Sequence, residues 1–142
     1  MNLSLNFTLY EFTHTDTGLA NDPPDAAIDR LSLLALSLLQ PIRDYWGPLR
    51  ITSGYRNPAV NQAAGGYPTS QHALGEAADF VPLNADMDVV FDWLVKMSGL
   101  KFGQCISENK KRRRWIHISL PRKGKPNQQA LIYDGKEYRP YV

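Results

Sequence analysis

From Ala26 to Trp46 the apolar residues Ile28, Leu31, Ala35, Leu38, Ile42 and Trp46 recur at steps of three and four, which is one stripe of an amphipathic helix. Asp22-Pro23-Pro24-Asp25 marks its start, since acidic groups are favourable at a helix N-terminus, and Gly47-Pro48 ends it. Pro41 lies inside the stripe and predicts a kink or break near Leu39, because it has no N–H and crowds the preceding turn. A second stripe, Val89, Val90, Trp93, Leu94 and Met97, predicts a helix over Asp86–Ser98. Strands are predicted at Leu49–Ser53, Glu76–Pro82, Lys101–Ser107 and Trp115–Leu120, and an extended piece around Phe7–Phe12. In the tail Gln129–Tyr141, Asp134-Gly135 between strand-like runs predicts a two-residue hairpin turn. Gly54–Gln71 reads as a long irregular loop with one helical turn at Pro58–Ala63, and loops of that length in a compact domain are usually functional. Helices and antiparallel strands in segregated blocks predict an α+β fold rather than a doubly wound one.

Composition narrows the class. With 142 residues and 43% apolar side chains, residues 1–142 form a single domain with a real core. Sixteen basic and fourteen acidic residues leave a net charge of +2, which by bulk charge excludes a strongly basic nucleic-acid protein or an acidic tail protein. The one cysteine, Cys105, excludes an intramolecular disulfide and a multi-cysteine zinc finger. Only His14, His72 and His117 are available, so a histidine-based metal site must use most of them. Met1–Phe12 has no basic head, long apolar run or small-residue cleavage site. No apolar stretch approaches the ~18 residues that span a bilayer. The expectation is a chain made in the cytoplasm without a signal peptide, soluble, monomeric and with no membrane partner.

The chemically informative stretch is Ser70-Gln71-His72-Ala73-Leu74-Gly75-Glu76-Ala77-Ala78-Asp79. His72 and Asp79 are seven residues apart, about 10 Å of rise on a helix and over 20 Å on a strand. Both reach one ion only if the chain turns back between them, and Gly75 supplies the permissive backbone. In Trp115–Leu120, alternation puts Ile116, Ile118 and Leu120 on one face and Trp115, His117 and Ser119 on the other. Two histidines and an aspartate make three ligands with a fourth position open, the count of a catalytic zinc. The bland alternative is a hydrogen-bonded core histidine and an aspartate at a turn. His14, in Thr13-His14-Thr15-Asp16, reads as a surface-loop histidine.

Ser53-Gly54-Tyr55-Arg56-Asn57-Pro58, the block from Ser70 to Asp79, and Trp115-Ile116-His117-Ile118 together resemble the signature of the zinc D-alanyl-D-alanine peptidase family, or M15-like peptidases. The opening Phe7-Thr8-Leu9-x-Glu11-Phe12 and the kinked helix also resemble its phage- and prophage-encoded members. The resemblance runs from about Phe7 to Leu120. It implies the hedgehog/DD-peptidase fold, a small antiparallel sheet flanked by helices. It further implies Zn2+ held by His72, Asp79 and His117, and activity on peptidoglycan stem peptides or cross-links as a carboxypeptidase or endopeptidase. Arg56 falls where the family has a substrate-contacting arginine, whose fixed donors suit a carboxylate or a developing oxyanion; a loop-pinning arginine is the alternative. Ser70 is expected to order the loop around His72 or to touch substrate. For a phage-type member, the implied setting is an endolysin or virion enzyme that reaches the bacterial cell wall through a holin or tail.

One departure matters. Many relatives carry Asp or Glu three residues before the last zinc ligand, as general base, where this chain has Arg114, which is no base at neutral pH. Glu108 is the nearest candidate, returned to the site by a hairpin through Asn109–Arg114, and Glu76 is the weaker one. The rival to an enzyme is a non-catalytic zinc-bearing module of the same fold that binds cell wall or protein. The run Lys110–Arg114 invites a nucleic-acid reading, but a solvated hairpin tip with some attraction to an anionic wall suits a nearly neutral chain better, so no nucleic acid is expected as partner.

Overall fold

The computed structural model describes residues 1–142. Leu31, Ala35, Leu38 and Ile42 are all fully buried and the stripe's ends, Ile28 and Trp46, are half-buried, so the long apolar stripe does face the core, joined there by Leu34. The helix carrying it is continuous in space but changes pitch: α2 (Asp25–Leu34) passes into a π-turn at Ala35–Leu39 and then α3 (Gln40–Trp46). Gln40 N–H donates to Ala35 O, five residues back. This widened turn absorbs Pro41, which sits in the first turn of α3 where a missing N–H costs little. The expected disturbance near Leu39 is thus a π-bulge.

Ahead of this helix is α1 (Leu9–Thr13), where an extended piece was expected. Glu11 overrides the strand-like pattern: its carboxylate accepts from the Thr8 backbone N–H at 2.9 Å and the Thr8 hydroxyl at 3.1 Å, closing the helix start. Phe12 is then fully buried, edge-on to Phe7.

The remaining elements are β1 (Leu49–Ser53), α4 (Pro58–Ala63), a 3-10 turn (Gln71–Leu74), β2 (Ala77–Pro82), α5 (Met87–Lys96), β3 (Gln104–Lys110), β4 (Arg113–Ser119), β5 (Gln129–Tyr133) and β6 (Tyr138–Pro140). They form one six-stranded sheet in the order β1-β2-β4-β3-β5-β6. The α+β class expected from the sequence is the one observed. The sheet is antiparallel except for β3 and β5, which run parallel because Leu120–Gln128 carries the chain back to the start of β3. Non-local pairing of this kind leaves no signature in the pattern of one strand.

Two turns differ from expectation. The strands β3 and β4 extend through most of the basic run, leaving only Lys111 and Arg112, both at positive φ, as a two-residue turn. The β5–β6 loop is longer than two residues, since Tyr133 pairs with Tyr138. There the Asp134 carboxylate accepts from the Lys136 and Glu137 backbone N–H groups at 2.8 and 3.0 Å, nucleating a wider turn.

Alternation divides the sheet. Phe80, Cys105, Ile116 and Ile118 are fully buried in one cluster with the α2–α3 stripe and with Val90, Phe91 and Leu94 of α5. The opposite face is left free of helices, and it carries the polar residues.

Candidate functional site

Register places the candidate residues on that open face. Asp79 on β2 stands opposite His117 on β4, and His117 opposite Ile106 on β3. One pleat repeat along, Glu108 stands opposite Trp115. His72 arrives from the 3-10 turn, whose first backbone donor is capped by Ser70: the Ser70 hydroxyl oxygen accepts from His72 N–H at 3.2 Å. Gly75, at φ +77°, reverses the chain so that Ala77 can begin β2, and a Cβ there would lie 2.6 Å from Ala27 O. The fold-back required by the seven-residue spacing is therefore present.

The three side chains converge. His117 Nδ1 lies 2.9 Å from Asp79 Oδ1, His72 Nε2 lies 3.3 Å from the same oxygen, and the two ring nitrogens are 3.3 Å apart. Their side chains are only 3%, 14% and 12% exposed for His72, Asp79 and His117. His72 Nδ1 is 2.7 Å from Gly54 O, which can only accept, so Nδ1 carries the proton and Nε2 presents a lone pair. That lone pair faces a carboxylate oxygen, an arrangement with more acceptors than protons. A cation resolves it, and edges near 3.3 Å are those of a tetrahedron with metal–ligand bonds of about 2.0–2.1 Å. The donor set fits a divalent metal.

Electrostatics agree. Burial pushes the His72 ring below its usual range, and Asp79 only partly restores it. Burial opposes the charge on Asp79, but the field of the adjacent His72 and His117 rings and the hydrogen bond from His117 outweigh it and hold the carboxyl well below the usual range. A neutral imidazole and an ionised carboxylate are the protonation states that metal binding needs.

Gly54 holds His72 through its carbonyl, and it must be glycine: an added Cβ would lie 2.5 Å from Phe12 O. Beyond it, Arg56 N–H donates to His72 O at 3.0 Å. The Arg56 side chain has no hydrogen bond or ion pair, and its buried Nε lacks an acceptor. Burial lowers its guanidinium, while Asp79 and Glu108 pull it back up; it stays charged at neutral pH. A loop-pinning arginine would be hydrogen-bonded to backbone carbonyls, and this one is not.

The loop is pinned instead by Asn21, which sequence reasoning missed. Its amide donates to Thr13 O and Tyr55 O at 2.9 and 2.8 Å, and its oxygen accepts from Asn57 N–H at 2.9 Å. No local pattern marks such a long-range clamp, although Asn57 before Pro58 is a readable helix cap, accepting from Val60 N–H.

Glu108 shares the face of His117. Burial, then the charge of Asp79, push its carboxyl up to about 7 against the opposing pull of His117 and Arg56. Arg114, an odd number of residues from His117, falls on the other face and pairs with Asp88 of α5 at 2.5 Å. Glu76 is engaged by Arg30 at 2.9 Å and Arg122 at 3.8 Å, away from the centre. His14 is a surface residue 3.2 Å from exposed Asp16.

Arg56, Ser70, His72, Asp79, Glu108 and His117 line an open groove of about 1110 Å³, walled by Tyr67 on one side and by Tyr133 and Tyr138 of β5–β6 on another. The comparison that decides the family is a family model, described as Peptidase M15, that matches residues 2–119. The chain belongs to the M15 peptidases. A search of the curated proteins finds no match. The match to the M15 family ends with β4, so the β5–β6 wall of the groove lies outside it. No helix is long and apolar enough to cross a membrane.

Proposed function

We propose that this M15 peptidase is a zinc enzyme that hydrolyses peptidoglycan stem peptides or cross-links, with zinc held by His72, Asp79 and His117. The observation that carries the reading is the convergence of three donor atoms within 3.3 Å of one another, in a groove that also holds Glu108 and an unpartnered Arg56. When bound, the metal supplies Lewis-acid polarisation of a carbonyl and acidifies water. Glu108, lifted toward neutrality by its burial, takes a proton from the attacking water and returns it to the leaving amine as the C–N bond breaks. Arg56 orients the substrate through a terminal carboxylate or through the oxyanion that develops at the scissile carbonyl. Ser70 orders the loop that carries His72. The Gly54 carbonyl keeps the His72 ring in one tautomer. Action at the bacterial cell wall, in the manner of an endolysin or virion enzyme, belongs to the same reading and is supported by the opening Phe7–Phe12 motif.

The test is mass spectrometry of purified muropeptides after incubation with zinc-loaded protein, with and without chelator. A product lacking one D-alanine identifies a carboxypeptidase, and severed cross-links identify an endopeptidase. Intact muropeptides beside stoichiometric bound zinc would leave the non-catalytic binding module.

A further inference from the structure

The groove is far more cationic than one metal centre requires. Its acidic groups are Asp79 and Glu108, both at the centre, whereas Arg50, Lys110, Arg113 and Lys136 line it farther along. None of these four has a carboxylate partner, while neighbouring Arg114 is taken up by Asp88.

Register fixes where they lie. On β4, Trp115 and Arg113 follow His117 on the same face at two and four residues, about 7 and 13 Å along the strand. Lys110 stands directly opposite Arg113, and Arg50 opposite Val81, two residues along from Asp79 in the same direction. Lys136 comes from the turn after Tyr133, which pairs with Glu108. Arg56 leaves β1 past Ser53, which stands opposite Asp79, and so at the other end. The order along the groove is therefore Arg56, the three-residue centre, Glu108 and Trp115 with Arg50 at their level, and then Lys110, Arg113 and Lys136.

Like charges directly opposite on paired strands are destabilising. Lys110 and Arg113 are such a pair, and neither makes an ion pair with an acidic side chain, Glu108 acting on Lys110 only from a distance. Between them and the centre, the buried Trp115 Nε1 also lacks an acceptor. A bound chain with a carboxylate at the far position and a backbone carbonyl over Trp115 would satisfy both.

We propose that Arg50, Lys110, Arg113 and Lys136 form a second anion subsite, which takes an acidic group of the substrate two to four residues from the scissile bond on the side away from Arg56. The substrate is then a peptide that is anionic on that side, and its ligand class rests on the peptidase reading above. The subsite determines specificity and takes no part in the bond-breaking step.

Two stem peptides that differ only in whether the glutamate α-carboxyl is free or amidated isolate the charge. On the zinc-loaded protein the free-carboxyl peptide should be hydrolysed with about tenfold higher kcat/KM, through KM, as several ion pairs to exposed cations together supply. Titration calorimetry with chelator present should show the same ratio in affinity without cleavage. Lys110→Gln with Arg113→Gln should reduce the ratio to about two. Lys111→Asn with Arg112→Gly removes the same charge at the hairpin tip, in residues suited to positive φ, and should keep it near ten. Equal affinity for the two peptides, or an equal loss of preference in the tip variant, overturns the subsite. Preferential binding of the free-carboxyl peptide without cleavage in zinc sinks the peptidase reading and leaves the subsite standing.

Discussion

The two faces of the sheet use the same strands in opposite ways. On β4, Ile116 and Ile118 are fully buried under the helices, while Trp115 and His117, one residue out of step, face the groove. On β2, Phe80 is fully buried beside Asp79, and on β3 Cys105 lies in the core while Ile106 and Glu108 line the groove. A slip of one residue would exchange the faces entirely, placing isoleucine over the groove and histidine in the core. The apolar face therefore sets the register, and the register aligns Asp79 with His117 and Glu108 with Trp115. Stability and chemistry are divided between faces but coupled through one backbone.

The division predicts that groove substitutions abolish function with the fold intact, and that core substitutions weaken the fold first. The largest effect is expected for His117→Ala. Zinc content, read by metal analysis, should fall from about one per chain to near zero, and peptide hydrolysis to background. Zinc removal from the parent should also lower the melting temperature, since a ligand bound only by the folded state stabilises it. Full zinc occupancy in His117→Ala would contradict the assignment.

Next in size is Glu108→Gln, which should keep zinc yet lose about two to four orders of magnitude in turnover. Ile116→Ala, on the buried face beside Trp115, should cost about 2–5 kcal/mol of stability by denaturant titration. Turnover under native conditions should change far less than in Glu108→Gln. A catalytic collapse there without loss of stability would break the separation of faces.

Arg56→Lys keeps the charge but not the planar fork, and should lose roughly ten- to a hundredfold in kcat/KM with zinc content unchanged. A rise in KM alone would mark a carboxylate clamp, and a fall in kcat an oxyanion contact. Unfolding of both Arg56→Lys and Arg56→Ala, with no selective kinetic defect, would return Arg56 to a structural role.

The smallest effect is pH-dependent and sharpens the comparison from the stability side. In metal-free protein the Glu108 carboxyl is raised from 4.5 to about 7, so between these values the folded state holds the proton more tightly than the unfolded state. Stability contributed by the protonated form is thus lost as pH rises through that window. Glu108→Gln should melt higher than the parent at pH 8 and alike at pH 4, by calorimetry with chelator. No difference at pH 8 would mean that the groove face carries no such penalty.

Much of this was legible in the residues. The three-four stripes predicted the long helix and the existence of α5, though Val89 and Met97 of the second stripe are exposed and Phe91 is buried instead, and alternation predicted the division of β4. The need for a turn between His72 and Asp79 pointed to Gly75. Other features were not. The Phe7–Phe12 segment is helical from Leu9 because Thr8 and Glu11 close a cap, a local device outweighed in reading by the apolar pattern. The same odd offset that removes Arg114 from the His117 face was implicit in strand periodicity, but only the α5 partner Asp88 shows where its charge goes.

What the sequence by itself determined is what period and spacing encode. Beside the set His72, Asp79 and His117, which only the family resemblance joined, those are the α+β class and the core faces of the long helix and of β4. Each follows from neighbours a few residues apart, whose geometry the backbone dictates. The tertiary structure alone decided which strands are neighbours: the parallel placement of β5 against β3, the β5–β6 wall, the Asn21 clamp on the Arg56 loop, and the cations gathered along the groove from β1, β3, β4 and the last turn. Those contacts join residues tens of positions apart, and they arise from packing the whole apolar face at once, which no single segment records.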